Sequence, residues 1–174
     1  MCGIIGVTSS SNVQDFIISS LKRLEYRGYD SSGLATISEN KLNLCRAEGK
    51  INNLTSKLEK TPLEGSIGIG HTRWATHGNI SVDNAHPHVS GQVAIVHNGI
   101  IENYQKIKDE LIKKGRKFTS QTDSEVIAHL FDEEFSKNAT KKIATQNVLK
   151  ILEGAYAFVV LDLNEPDTLI AARN

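Results

Sequence analysis

Cysteine occupies position two of the 174-residue chain, directly after Met1. Its small side chain permits removal of the initiator Met. Cys2 would then carry a free α-amine one carbon away from its own thiol-bearing arm. An α-amine has a pKa of about 7.7–8.0 and a thiol about 8.5. Near neutrality an unprotonated amine can take the thiol proton, directly or through one water, so one residue supplies nucleophile and base. The same position equally suits a small apolar residue opening a core strand, and one cysteine does not decide between the two. Cys45 has polar neighbours and reads as structural or incidental. No disulfide between the two is expected in a reducing cytosol.

Three further segments carry chemistry-bearing residues. HTRWATHG, residues 71–78, follows the strand-like run SIGIG. Arg73 in it offers a planar fork that suits a carboxylate, or it is a surface arginine beside a buried tryptophan. HNGIIEN, residues 97–103, follows QVAIV. There Asn98 offers an amide donor and Gly99 lets a backbone N–H approach a ligand, the components of an oxyanion hole. Asn-Gly is equally a common tight turn. Asp123 sits at a helix start, where a carboxylate is favoured for structural reasons and is also placed to receive a substrate ammonium. EYRGYDSSG, residues 25–33, has two glycines and Asp30 suited to a tight loop, with Arg27 and Tyr29 facing either ligand or solvent.

Five of six histidines fall between His71 and His97. Neither His86-Pro87-His88 nor His71/His77 has the spacing that specifies zinc. No phosphate-binding glycine loop and no GxSxG elbow occurs. No metal and no cofactor is therefore expected. Lys plus Arg and Asp plus Glu are both 20, so nothing points to a nucleic-acid partner. The longest apolar run, Ala155–Leu161, is too short to span a bilayer. The N-terminus does not read as a secretory signal, and a cytoplasmic location is expected.

These residues need elements to hold them. Strands are expected at 2–8, 34–38, 42–46, 66–73, 92–97, 155–162 and 168–172, with the second and third turning at Glu39-Asn40-Lys41. Helical spacing runs through Val13, Phe16, Ile17, Leu21 and Leu24, with Asn12 as N-cap and Gly28 as stop. Further helices are expected from Tyr104 to near Gly115, after a Thr122/Glu125 capping box, and from Ala144 to Leu152. Strands, then clustered helices, then strands give an α+β domain of packed sheets with helices outside, not a doubly wound sheet.

Taken in order, MCGIIG, RLEYRGYDSSG, HTRWATHG, NAHPHV, VHNGIIENY and TDSEVIAHL resemble the N-terminal class II glutamine amidotransferase domain of the glucosamine-6-phosphate synthase family. The resemblance implies a four-layer αββα sandwich of the N-terminal-nucleophile hydrolase type. It implies Cys2 as nucleophile after Met1 removal, with Asn98 and the Gly99 N–H holding the oxyanion. It implies that Arg73 binds the α-carboxylate of L-glutamine and Asp123 its α-ammonium. Trp74, Thr76 and His77 would belong to the loop covering glutamine, with Trp74 and Arg27 gating ammonia toward a second site. In complete family members, expected to be homo-oligomers, ammonia passes to fructose 6-phosphate. The resemblance also implies that the last strands of the sandwich and the sugar-phosphate half lie beyond Asn174. The alternative is a catalytically incomplete fragment that only binds glutamine or a partner subunit.

Overall fold

The computed structural model describes residues 2–75 and 78–174, with the Arg27 side chain left aside. The elements are β1 (Gly3–Thr8), α1 (Gln14–Arg23), β2 (Ser31–Ser38), β3 (Lys41–Glu48), α2 (Ile51–Lys60), β4 (Ile67–Arg73), β5 (His88–Ser90), β6 (Val93–Gly99), α3 (Tyr104–Lys113), α4 (Glu125–Ser136), α5 (Lys141–Ile151), β7 (Tyr156–Asp162) and β8 (Leu169–Arg173). A short 3-10 turn, Glu25–Arg27, follows α1.

The strands form two antiparallel sheets, ordered β1-β4-β2-β3 and β5-β6-β7-β8. Strand alternation sorts their side chains into three apolar groups. Leu34 of β2 joins Ile17 and Leu21 of α1 and Ile51, Leu54 and Leu58 of α2. Val93 and Ile95 of β6 and Phe158 and Val160 of β7 pack on α3, α4 and α5. Between the sheets lie Ala35, Ile37, Ile67, Ile69, Ala94, Val96, Val159 and Leu161. The layers are therefore helices, sheet, sheet, helices, as the resemblance implies.

The β2–β3 turn is the two-residue Glu39-Asn40, both at positive φ (51° and 56°), as a tight hairpin requires. Helix α2 and strand β5 were absent from the sequence expectations. Four of the five residues between the apolar positions of α2 are Asn52, Asn53, Thr55 and Ser56. Their helix propensities together disfavour the helix by at most about 3 kcal/mol. Burying Ile51, Leu54 and Leu58 contributes about 1.5–3 kcal/mol each, which outweighs that. The spacing 51, 54, 58 was the available signal. β5 is three residues long and leaves no periodicity to read.

Two cap expectations are corrected. Val13, not Asn12, is the N-cap of α1, although Asn12 Oδ1 still accepts the Gln14 N–H at 2.9 Å. The Thr122/Glu125 capping box does not form. Ser124 is the N-cap of α4 without a side-chain bond, and the Glu125 carboxylate instead accepts from the backbone N–H groups of Thr119 (2.9 Å) and Ser120 (2.7 Å). Gly28 ends the 3-10 turn rather than α1 itself.

Candidate active site

Side-chain parity explains how the site forms. On β4 the residues facing the other sheet are Ile67 and Ile69, both in the inter-sheet core, and then His71 and Arg73. On β6 they are Ala94 and Val96, then Asn98. Ile4 of β1 faces the same layer, and Cys2 shares its parity. The apolar core between the sheets thus ends in a cluster of polar side chains contributed by three strands.

Cys2 lies at the end of that layer. Its Sγ accepts the Trp74 backbone N–H at 3.1 Å and contacts the Trp74 carbonyl at 3.6 Å. Asn98 Nδ2 donates to the Cys2 carbonyl at 3.3 Å. Asn98 Oδ1 lies 2.8 Å from His71 Nε2. Gly99 follows with φ +119°, and a Cβ there would meet the Ala155 carbonyl oxygen at 2.1 Å. Only glycine fits this position. Cys2, Trp74, Asn98 and Gly99 are therefore brought together.

Arg73 is buried, with its Nη1 3.5 Å from Asp30 Oδ1, and it donates to the carbonyls of Asn79 and Gly78, each at 3.4 Å. Asp30 also accepts the Ala75 N–H. Sequence reasoning assigned Asp30 to a tight loop. It does turn the chain, and it also anchors Arg73 and the segment after it. The available signal was the strand register, since Ser31 pairs with Arg73.

Asp123 is buried and does not cap its own helix. Its Oδ2 accepts the Ile101 N–H at 2.8 Å, two residues beyond Gly99, and its Oδ1 accepts the Ser124 hydroxyl at 3.3 Å. Asp123 thus ties the start of α4 to the loop that carries Asn98 and Gly99. The preceding 119–120 backbone is pinned by Glu125. Burial would raise the Glu125 pKa, but the nearby His129 ring, 3.6 Å away, and hydrogen bonds from Ser120 and Thr119 outweigh it and hold the carboxyl down at about 2.

Trp74 is half exposed, and its ring rests on Gly28, where a Cβ would lie 2.7 Å from it. The loop after β4 and the loop before β2 therefore touch. Thr76 and His77 lie outside the described residues, as does the Arg27 side chain. Cys2 and Asn98 also line an apolar cleft of about 500 Å³, with Leu24, Phe158 and Ala172 among its walls. Arg173 also lines it, whereas Arg73 and Asp123 are not among the described residues that do.

Burial keeps three of the buried histidines, His71, His86 and His88, neutral. Burial lowers the pKa of His71 and of His88 to about 3, and that of His86 well below the ordinary value. Among the described residues no group of three or more His, Cys, Asp or Glu is arranged to hold a metal ion. No helix among them is long and apolar enough to cross a membrane.

A cysteine at the chain start, set between two antiparallel sheets that are flanked by helices, defines the class II amidotransferase form of the N-terminal-nucleophile hydrolase fold. The chain belongs to the glutamine amidotransferase domain family, whose pattern matches residues 71–174. It is 53% identical over 173 residues to glutamine–fructose-6-phosphate aminotransferase [isomerizing] of Zymomonas mobilis, covering 99% of this chain and 28% of that protein. It is 53% identical over 174 residues to the protein of the same name from Mesorhizobium japonicum, covering 100% of this chain and 29% of the other. The chain thus spans less than a third of the length of these relatives. The glutamine phosphoribosylpyrophosphate amidotransferase of B. subtilis, solved with ADP and GMP, superposes with a TM-score of 0.83 at 28% identity, over 100% of this chain and 37% of the other.

Proposed function

We propose that this chain is a glutaminase that hydrolyses L-glutamine to L-glutamate and ammonia through a Cys2 thioester. The observation that carries the reading is the pair of contacts at Cys2. The Trp74 N–H is on its sulfur, and the Asn98 amide is directed to the same residue.

After Met1 is removed, the α-amine of Cys2 takes the thiol proton. The sulfur attacks the side-chain carboxamide carbon of glutamine, forming the C–S bond and placing negative charge on the carboxamide oxygen. The Asn98 Nδ2–H and the Gly99 N–H hold that oxyanion. The C–N bond breaks, the ammonium of Cys2 returns its proton to the leaving nitrogen, and ammonia departs. Water, deprotonated by the same amine, attacks the thioester carbon and releases glutamate and the thiol. Arg73 and Asp123 hold the α-carboxylate and α-ammonium, which distinguishes glutamine from a simple amide. Trp74, with Thr76 and His77, covers the substrate, and Trp74 and Arg27 gate the ammonia.

The names of the relatives extend the reading. As the first part of a longer, homo-oligomeric cytoplasmic protein of their kind, the domain would pass ammonia to fructose 6-phosphate and give glucosamine 6-phosphate. The test at the level of this chain is glutamate release by the unsubstituted chain and by Cys2→Ala, together with calorimetric glutamine binding. Release that vanishes in Cys2→Ala while binding persists supports the reading. Undiminished release by Cys2→Ala refutes it.

A further inference from the structure

The Asn98 side chain has two ends of opposite hydrogen-bonding character. A carboxamide can stabilise an oxyanion only through its NH2 end, and its oxygen in that place would repel the developing charge. Something must fix which end faces Cys2. Sequence alternation places His71 of β4 across the sheet interface from Asn98 of β6, both beyond the apolar inter-sheet core.

His71 Nε2 lies 2.8 Å from Asn98 Oδ1 and 3.0 Å from the His97 carbonyl oxygen. A backbone carbonyl only accepts, so Nε2 carries the proton. A bare Nε2 would face that carbonyl lone pair to lone pair and would move the proton to Nδ1. That atom is buried and has no hydrogen-bond partner among the described residues. With Nε2 protonated, the carboxamide atom facing it must be the oxygen, which turns Nδ2 toward Cys2. Nδ2 indeed donates to the Cys2 carbonyl at 3.3 Å. The flipped amide would set N–H against N–H at His71 and oxygen against oxygen at Cys2.

We propose that His71 is a positioning residue for the oxyanion hole: the His97 carbonyl fixes its tautomer, and the tautomer fixes the direction of the Asn98 amide. This rests on the glutaminase reading above for its catalytic consequence, and not for its geometry. The ring is well placed for the role. It is fully buried on a central strand, between β1 and β2, and packs against the His86 ring at 4.1 Å between centroids. Burial also keeps it neutral, so it donates through Nε2 alone at working pH.

Two measurements test it. In the unsubstituted chain, nitrogen NMR of His71 is expected to show a protonated Nε2 and a bare Nδ1 near neutral pH. A protonated Nδ1, or a mixture of tautomers, overturns the proposal whether or not the chain turns over. The second measurement is a kinetic cycle with Asn98→Ala. Losing one oxyanion donor costs roughly 10²–10³ in kcat, so His71→Leu, which frees the amide without removing it, is expected to lower kcat by about 10- to 100-fold with KM little changed. His71→Gln, which keeps an N–H donor, recovers most of that loss. In the Asn98→Ala background, His71→Leu is expected to add almost nothing, because residues acting as one unit are not additive. Equal losses in both backgrounds overturn the positioning role and leave the oxyanion assignment standing. Full turnover by Asn98→Ala alone instead overturns that assignment and the catalytic half of the proposal with it.

Discussion

Asp30 and Arg73 are joined twice: the Asp30 backbone N–H donates to the Arg73 carbonyl at 2.7 Å, and the Asp30 carboxylate lies 3.5 Å from the Arg73 guanidinium. The first contact continues the β2–β4 ladder beyond Ser31, and the second fixes a buried cation at the strand end. Removing one partner of such a pair leaves the other charge buried and uncompensated. Asp30→Ala is therefore expected to cost about 3 kcal/mol in urea unfolding, and to raise the KM for glutamine more than it lowers kcat. Unchanged stability would show that the pair is solvated and does not hold Arg73.

Gly99 makes a second expectation. Its φ of +119° and the 2.1 Å approach of a Cβ to the Ala155 carbonyl bar any side chain. Backbone strain and overpacking each cost about 1–3 kcal/mol. Gly99→Ala is thus expected to lose on the order of 2–5 kcal/mol by thermal or urea unfolding, along with glutaminase turnover. A stable and active Gly99→Ala would mean that β6 and β7 separate more easily than their pairing indicates.

Much of this arrangement was legible in the residues. Periodicity located β1, the β2–β3 hairpin, β4, β6, β7 and β8, because each alternates or runs apolar between turn residues. It missed α2, whose three apolar anchors are diluted by Asn, Thr and Ser, and β5, which is too short to alternate. At the site, Cys2, Arg73, Asn98, Gly99 and Asp123 could be singled out by the chemistry their types offer where they stand, and Trp74 only through the family resemblance. Asp30, His71 and Glu125 could not. Each acts through a partner far away in the chain: Asp30 on Arg73, His71 on Asn98, and Glu125 on the segment leading to Asp123. Such partnerships depend on strand register and sheet packing, which local patterns do not encode. The Thr122/Glu125 spacing misled for the same reason. A capping box is a local motif, and here the carboxylate was claimed by the preceding loop.

The histidines set a pH dependence. Burial lowers the pKa values of His71, His86 and His88 far below 6.5 in the folded chain, whereas in the unfolded chain they titrate near 6.5. Below 6.5 the unfolded state therefore binds more protons, and stability falls as the pH drops from about 6.5 toward 3. Each histidine contributes a slope approaching about 1.4 kcal/mol per pH unit in that window. Below about 4.5, Glu125, held at about 2 in the folded chain, adds a loss of the same sign. Urea midpoints measured from pH 7.5 to 5 should decline steeply below 6.5. A flat profile would mean that these rings are hydrated and charged in the folded state.

The central claim is that Cys2, freed of Met1, is the nucleophile. Incubation with a glutamine-like electrophile followed by intact mass and peptide mapping tests it most directly. One equivalent of label on Cys2 as the first residue, diminished by competing glutamine and absent from Cys2→Ala, is the expected result. Label on Cys45, no label at all, or label on a chain that still carries Met1 would contradict it.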